Sequence, residues 1–170
     1  GDYAVSPADE AEAVAAVEDE AGLDADEVAD ASPLVLAATR MLNGNPAFYN
    51  LPRKYKVTIT GCRVWCSYPE INDVGLTALT HPATGEAGFS VRVGGGLSTQ
   101  PHLALRLDAF VPWNQVLPVV RGITEIFRDS EVLRRDREKA RLKFLILQHG
   151  WTAERFQDEL ERRIGFRLEA

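Results

Sequence analysis

Hydrophobic and polar positions along this chain fall into three regimes. Residues 1–31 show no sustained periodicity and hold few large apolar side chains. Ser32-Pro33 reads as an N-cap followed by proline at the first helical position, which predicts a helix through about Leu42. Asn43-Gly44-Asn45-Pro46 then stops it. From Lys54 to Thr60 the pattern alternates, with Tyr55, Val57 and Ile59 on one side and Lys54, Lys56, Thr58 and Thr60 on the other. A period of two predicts a strand with one polar face. Gly61 to Pro69 reads as a loop, Val74–Thr80 as a second strand, and His81 to Gly85 as a turn. Phe89, Val91 and Val93 make a third strand that runs into Gly94-Gly95-Gly96.

Beyond that point the period changes. Val116, Val119, Val120, Ile123, Ile126 and Phe127 recur at helical spacing after Pro112. Arg134 to Gln148 reads as a second helix, basic in its first half and closed by His149-Gly150. Thr152 caps a third, whose stripe is Phe156, Leu160 and Ile164. Strands followed by helices imply an α+β domain, with a mixed or antiparallel sheet packed against helices.

A length of 170 residues leaves room for one domain with a real core. No apolar run approaches membrane-spanning length and no signal peptide is visible. Two cysteines do not make a disulfide scaffold, so a reducing, cytoplasmic setting is the default expectation. The chain starts at Gly1 and its only methionine is Met41, which suggests a piece of something longer.

Charge divides the chain further. Residues 1–31 hold eleven acids and no Lys or Arg. The remaining 139 residues carry 14 acids against 19 bases. The leader therefore reads as an acidic, solvated or partly disordered arm, and residues 32–170 as a mildly basic domain suited to anionic partners. Aromatic interleaving is thin, which argues against nucleic acid.

Chemistry gathers at a few positions. Cys62 and Cys66 lie in a Gly-Cys-Arg-Val-Trp-Cys stretch directly after the first strand. Two thiolates on a loop suit a soft metal, especially iron–sulfur, but zinc or a cluster would need more ligands, and a plain thiol pair is the simpler alternative. His81, His102 and His149 are scattered and pair with nothing in the sequence; His149 reads as a helix cap. The triple glycine permits close approach of a ligand or forms an anion nest, with a flexible turn as the plain alternative. Arg134, Arg135, Arg137, Lys139, Arg141 and Lys143 read as a helix face that is partly turned inward.

Several of these segments resemble one family. Asn50-Leu51-Pro52-Arg53-Lys54-Tyr55-Lys56-Val57 is similar to the Leu-Pro-Arg-Lys-aromatic-Lys signature of sirohaem-dependent assimilatory nitrite and sulfite reductases. Gly61-Cys62-x-x-x-Cys66 with Ile71-Asn72-Asp73-Val74-Gly75 resembles that family's cluster loop. Gly88 to Ser98, Ile126 to Asp129, and Lys139 to Leu145 match in the same order. The resemblance implies one repeat of a two-repeat enzyme that holds sirohaem bridged to a [4Fe–4S] cluster. The reaction implied is the six-electron reduction of nitrite to ammonia or sulfite to sulfide, with a donor such as ferredoxin. It places Lys54 and Lys56 on the substrate side. Arg53, Asn72, Gly94, Gly95, Gly96, Arg141 and Lys143 would stand toward the cofactor, and Cys62 and Cys66 as metal ligands.

Two departures stand beside it. The family's upstream cysteine pair has no counterpart, since no cysteine precedes Cys62, and the first arginine is Arg40. The lysine signature belongs to first repeats and the cysteine loop to second ones. The thiols are therefore vestigial, or complete a cluster with another repeat or a second copy, or serve an additional one. The alternative to an enzyme part is a structural repeat that braces a cofactor-bearing half.

Overall fold

The computed structural model describes residues 26–64 and 66–170, so the acidic stretch up to residue 25 lies outside the described residues. Residues 26–31 pack against the loop that follows the first strand. Val28 N–H donates to Gly61 O at 2.7 Å, Arg63 N–H donates to Asp26 O at 2.9 Å, and Ala31 is buried.

Helix α1 spans Ser32–Leu42 and buries Leu34, Ala37, Ala38 and Met41, one face at helical spacing. Ser32 is the first helical residue and not the cap: Ala31 holds the N-cap position without a side-chain bond, and the Asp30 carboxylate ahead of it accepts from the Ser32 N–H at 2.9 Å. The stop is as expected, with Gly44 at φ +75° and Asn45 opening a short 3-10 turn, Pro46–Phe48.

Four strands follow: β1 (Val57–Thr60), β2 (Val74–Thr80), β3 (Ala87–Val93) and β4 (Leu105–Pro112). They form one mixed sheet in sequential order. β1 pairs parallel with β2 from Val57↔Val74 to Thr60↔Thr77, whereas β2–β3 and β3–β4 are antiparallel. The parallel step is bridged by residues 61–73, which hold a 3-10 turn at Pro69–Ile71 and no α-helix among the described residues, and this crossover carries both cysteines. The β2–β3 turn is closed by His81, whose Nδ1 accepts from the Ala83 and Thr84 N–H groups.

β4 departs from the helical reading of everything after the third strand. Leu107, Ala109 and Val111 are buried while Arg106 and Asp108 are exposed, a period of two that makes it a strand.

Helix α2 (Val116–Asp129) lies between α1 and the C-terminal helix α4 (Ala153–Ile164) and buries most of its apolar stripe in the core. Gly122 permits the α2–α4 approach, because a Cβ there would meet Ile164 Cγ2 at 2.7 Å. Thr152 caps α4 by accepting from Arg155 N–H.

The helix expected over Arg134–Gln148 is instead two 3-10 turns, Glu131–Arg134 and Arg137–Lys139, and a short helix α3, Lys143–His149. Like charges four apart (Arg135 and Lys139, Arg137 and Arg141, Lys139 and Lys143) disfavour a continuous helix. Asp136 also breaks it, standing extended and accepting from Glu138 N–H at 3.0 Å.

Candidate functional site

The lysine signature is held from behind by three aromatic and polar contacts. Tyr55 stacks on Phe127 with ring centroids 5.2 Å apart, and its hydroxyl meets Thr124 Oγ1 at 3.1 Å. Burial raises the Tyr55 phenol well above its usual range, so it stays neutral. Arg134 pins the preceding residue, donating to Asn50 O at 2.6 Å and to Arg128 O at 2.7 Å. On either side of Tyr55, Lys54 is exposed and Lys56 half-buried.

Both lysines precede β1 rather than lying within it, since pairing begins at Val57. The polar face that Thr58 and Thr60 continue is covered by the cysteine crossover. Thr58 Oγ1 meets Ser67 Oγ at 3.4 Å, and Thr60 Oγ1 meets Cys66 Sγ at 3.1 Å. Arg53 and Lys54 are exposed, and with Arg134 and Arg137 they line a shallow basin of about 590 Å³ that contains no acidic residue. Arg53, Lys54 and Arg137 meet no carboxylate among the described residues.

Lys56 is braced through its own peptide. Its N–H donates to Asp73 Oδ2 at 2.9 Å, and its carbonyl accepts from Val74 N–H at 3.0 Å. Asp73 is fully buried and receives Arg141 on both oxygens, Nη2 to Oδ2 at 2.8 Å and Nε to Oδ1 at 3.3 Å. Burial nevertheless raises the Asp73 carboxyl above its ordinary value, against the pull of Arg141.

The three glycines are not an open anion nest. Gly94 N–H donates to Asp73 O, Gly95 N–H to Asn72 O and Gly96 N–H to His102 O, all at 2.8–2.9 Å. Their smallness serves packing. A Cβ on Gly95 would stand 2.2 Å from Glu70 O, and one on Gly96 would touch the Arg141 guanidinium at 3.1 Å. Gly94 adopts φ +80°, which favours glycine.

Lys143 is also directed inward. Its ammonium, fully buried, donates to Gln100 O at 2.7 Å and Thr99 O at 3.0 Å, with Gly96 O and Ser98 Oγ at 3.4 Å. Desolvation, then the nearby Arg141 charge, lowers its pKa. Asn72 braces the crossover by donating to Tyr68 O at 2.8 Å and Ser67 O at 3.3 Å. The structure thus separates the sequence-based candidates. Arg53 and Lys54 face the open basin, while Asn72, Arg141, Lys143 and the glycines form an inward-facing scaffold that reaches the Lys56 peptide through Asp73.

The cysteines sit together but alone. Cys62 is half-buried and Cys66 exposed, and both are free thiols. The hydrogen bond that the Cys62 thiol donates to Cys66, then burial, raises the Cys62 pKa, the opposite of an activated thiolate. Among the described residues, no group of three or more His, Cys, Asp and Glu side chains could hold a metal ion. Two thiols do not fit an intact [4Fe–4S] cluster, which takes about four.

Asp73 was missed at the level of sequence, although its neighbour Asn72 was singled out. A lone acid at the mouth of an apolar strand was the available signal.

With this geometry established, the chain belongs to a redox-enzyme domain family: the nitrite and sulphite reductase 4Fe-4S domain family, whose model matches residues 15–168. It is 43% identical over 142 residues to sulfite reductase (ferredoxin) 1 of Mycolicibacterium paratuberculosis, covering 84% of this chain and 24% of that protein. It is 38% identical over 156 residues to the assimilatory ferredoxin-dependent nitrite reductase of Haloferax mediterranei, covering 88% of this chain and 26% of that protein. The structure of Mycobacterium tuberculosis NirA protein superimposes with a TM-score of 0.77 at 42% identity, covering 85% of this chain and 26% of that one. The chain therefore spans about a quarter of the length of these relatives.

Proposed function

We propose that this chain is a half-repeat of a sirohaem- and [4Fe–4S]-containing reductase of nitrite or sulfite, and that Lys54 and Lys56 are its substrate-facing cations. The observation that carries this is the contrast around the lysine signature. Every contact behind it is satisfied, while the Lys54 ammonium stands without a counter-ion among the described residues. Lys56 lies two residues on, with its backbone clasped at both ends.

Two ammonium groups on a braced segment attract an oxyanion and donate hydrogen bonds to its oxygens. As N–O or S–O bonds break, negative charge develops on those oxygens, and fixed cations stabilise it without reorganising. The same ammonium groups are positioned to pass protons to a departing oxygen. Arg53, beside Lys54 in the basic basin, suits a carboxylate of an anionic macrocycle such as sirohaem. When bound, the sirohaem–cluster pair supplies the electrons. Cys62 and Cys66 would provide half of a cluster's thiolates. The remaining ligands would come from a second repeat or a second copy, the electrons from a donor such as ferredoxin, and the setting would be the cytoplasm.

A second reading, a non-catalytic repeat bracing a cofactor-bearing half, is favoured by the incomplete thiol set. The test is turnover of the assembled reductase. Lys54→Ala and Lys56→Ala are each expected to lower turnover at least tenfold, about 1.4 kcal/mol of barrier. Folding and sirohaem content should hold, because neither ammonium packs the core. Full activity of both variants toward nitrite and sulfite would give the structural-repeat reading the lead.

A further inference from the structure

Resting on the substrate-side reading of Lys56, we infer that Asp73 is a positioning residue: its carboxylate, locked by Arg141, grips the Lys56 peptide and sets where the Lys56 ammonium stands.

Lys56 occupies the position where the chain enters the sheet. Strand pairing starts one residue later, at Val57↔Val74, so no strand partner receives the Lys56 N–H. Asp73 Oδ2 takes that place at 2.9 Å. On the other side of the same residue, Val74 N–H donates to Lys56 O at 3.0 Å. Asp73 and Val74 are consecutive, so one short piece of chain holds both ends of Lys56. Rotation of that peptide would swing a long side chain by several ångströms at its tip, and the clasp removes this freedom.

The carboxylate is itself fixed. Arg141 approaches as a fork, Nη2 at 2.8 Å and Nε at 3.3 Å, a geometry lysine cannot reproduce. The guanidinium lies against Gly96, and the Asp73 carbonyl accepts from Gly94 N–H at 2.8 Å. Lys143 then ties down the continuation of that loop through the Thr99 and Gln100 carbonyls. Lys56 is thereby referred, through Asp73 and Arg141, to the glycine loop and α3.

A buried ion pair could exist for stability alone. Against that, such pairs seldom stabilise a fold relative to apolar residues of similar volume, because desolvation offsets the attraction. Here desolvation raises the Asp73 carboxyl despite its partner, consistent with a pair that defines geometry.

The experiment is a double-mutant cycle in the assembled reductase, with Asp73→Asn, Lys56→Ala and both together. An asparagine matches the shape, but its amide nitrogen meets a donor in either orientation: Arg141 Nε if the oxygen takes the Oδ2 place, or both Arg141 Nη2 and the Lys56 N–H if it does not. Asp73→Asn is expected to lower turnover at least tenfold, to raise KM for sulfite or nitrite severalfold, and to leave sirohaem content unchanged. In the Lys56→Ala background the same change should lower turnover less than twofold further, since there is no ammonium left to misplace. Hydrogen exchange at the Lys56 amide should accelerate at least tenfold in Asp73→Asn. An equal loss in both backgrounds, or no loss with Lys56 intact, would overturn the inference while leaving the substrate-side reading standing. Full activity of Lys56→Ala would overturn that reading, and this inference with it. If Asp73→Asn does not fold, Arg141→Lys, which keeps the cation and loses the fork, goes through the same cycle and is judged by the same criteria.

Discussion

The lysine segment and the cysteine crossover are neighbours in sequence and are built on opposite plans. Behind Lys54 and Lys56 lie a stacked Tyr55–Phe127 pair, a buried carboxylate and a forked arginine. Behind Cys62 and Cys66 lie a threonine hydroxyl, the other thiol and backbone bonds to residues 26–28, with no buried charge. The first plan holds flexible cations at defined points, so the surrounding scaffold is complete within this chain. The second holds two free thiols at a surface, and among the described residues no further Cys, His, Asp or Glu joins them in a set of three or more. On the reading proposed above, the domain is finished as a binding surface and unfinished as a metal site.

The largest expected effect tests whether the lysine scaffold is as deeply anchored as it looks. Arg141→Ala leaves the Asp73 carboxylate buried beside one N–H donor, and removing one partner of such a pair costs roughly 3–5 kcal/mol. Urea denaturation of the chain would measure it. Arg53→Ala, on the exposed basin, is the matched control and should fall within about 0.5 kcal/mol of the parent. Similar values for the two would erase the distinction between scaffold and surface.

Much of this architecture was legible in the sequence, and the illegible part has a common physical cause. β2, β3, α2 and α4 follow from apolar periodicity, because β2 and β3 alternate large apolar side chains with small or polar ones and α2 and α4 each carry one apolar stripe. β4 carries the same alternation at Leu105, Leu107, Ala109 and Val111, but it sits behind a loop and ahead of a helical run. The Arg134–Gln148 segment misled through its composition: its residues favour helix singly, while its like charges and Asp136 do not allow one unbroken helix. The lysine signature was visible as an alternating motif, but its bracing was not. Arg141 and Asp73 are 68 residues apart, and no local pattern joins them. The inward turn of Lys143 was equally hidden, because its partners are backbone carbonyls that any sequence supplies.

Next in size is the crossover itself. Thr60 Oγ1 accepts from Cys62 N–H at 3.2 Å and meets Cys66 Sγ at 3.1 Å, so one hydroxyl organises both ends of the loop. Thr60→Val is expected to cost roughly 1 kcal/mol, the net worth of such bonds. Faster alkylation of both thiols should accompany it, because the loop loses its tether. Unchanged alkylation rates would show that the loop is organised by something other than Thr60.

A smaller effect separates pairs built for stability from the pair built for position. Asp129, bonded first by Arg128 and also by Arg163, titrates at about 2 in the folded chain against an ordinary 3.8. Its folded value is depressed, so its stabilising contribution is fully present above about pH 4 and is lost as pH falls through about 2. Asp73 behaves oppositely. Its folded value is raised, so falling pH relieves a burial cost instead of removing stability. In urea titrations between pH 5 and 2, Asp129→Asn should flatten the acid limb of the parent curve. A parallel acid limb in that variant would place the loss at other carboxylates.

The last prediction is of no effect, and it concerns the thiols. Cys62 and Cys66 are within hydrogen-bonding reach of one another, which is compatible with two ligands to one metal centre. No further Cys, His, Asp or Glu completes a set of three or more among the described residues, and the sequence holds no other cysteine. After anaerobic reconstitution with iron and sulfide, the isolated chain is expected to retain well below the four irons and four sulfides per monomer of an intact [4Fe–4S] cluster. Cys62→Ser should leave that residual iron and the urea midpoint nearly unchanged, since the half-buried thiol packs little of the core. The oligomeric state must be read from the same sample, because two chains could pool their pairs across an interface. Stoichiometric cluster on a monomer, lost in Cys62→Ser, would mean that the crossover is a finished site. The contrast with the lysine scaffold would then be gone.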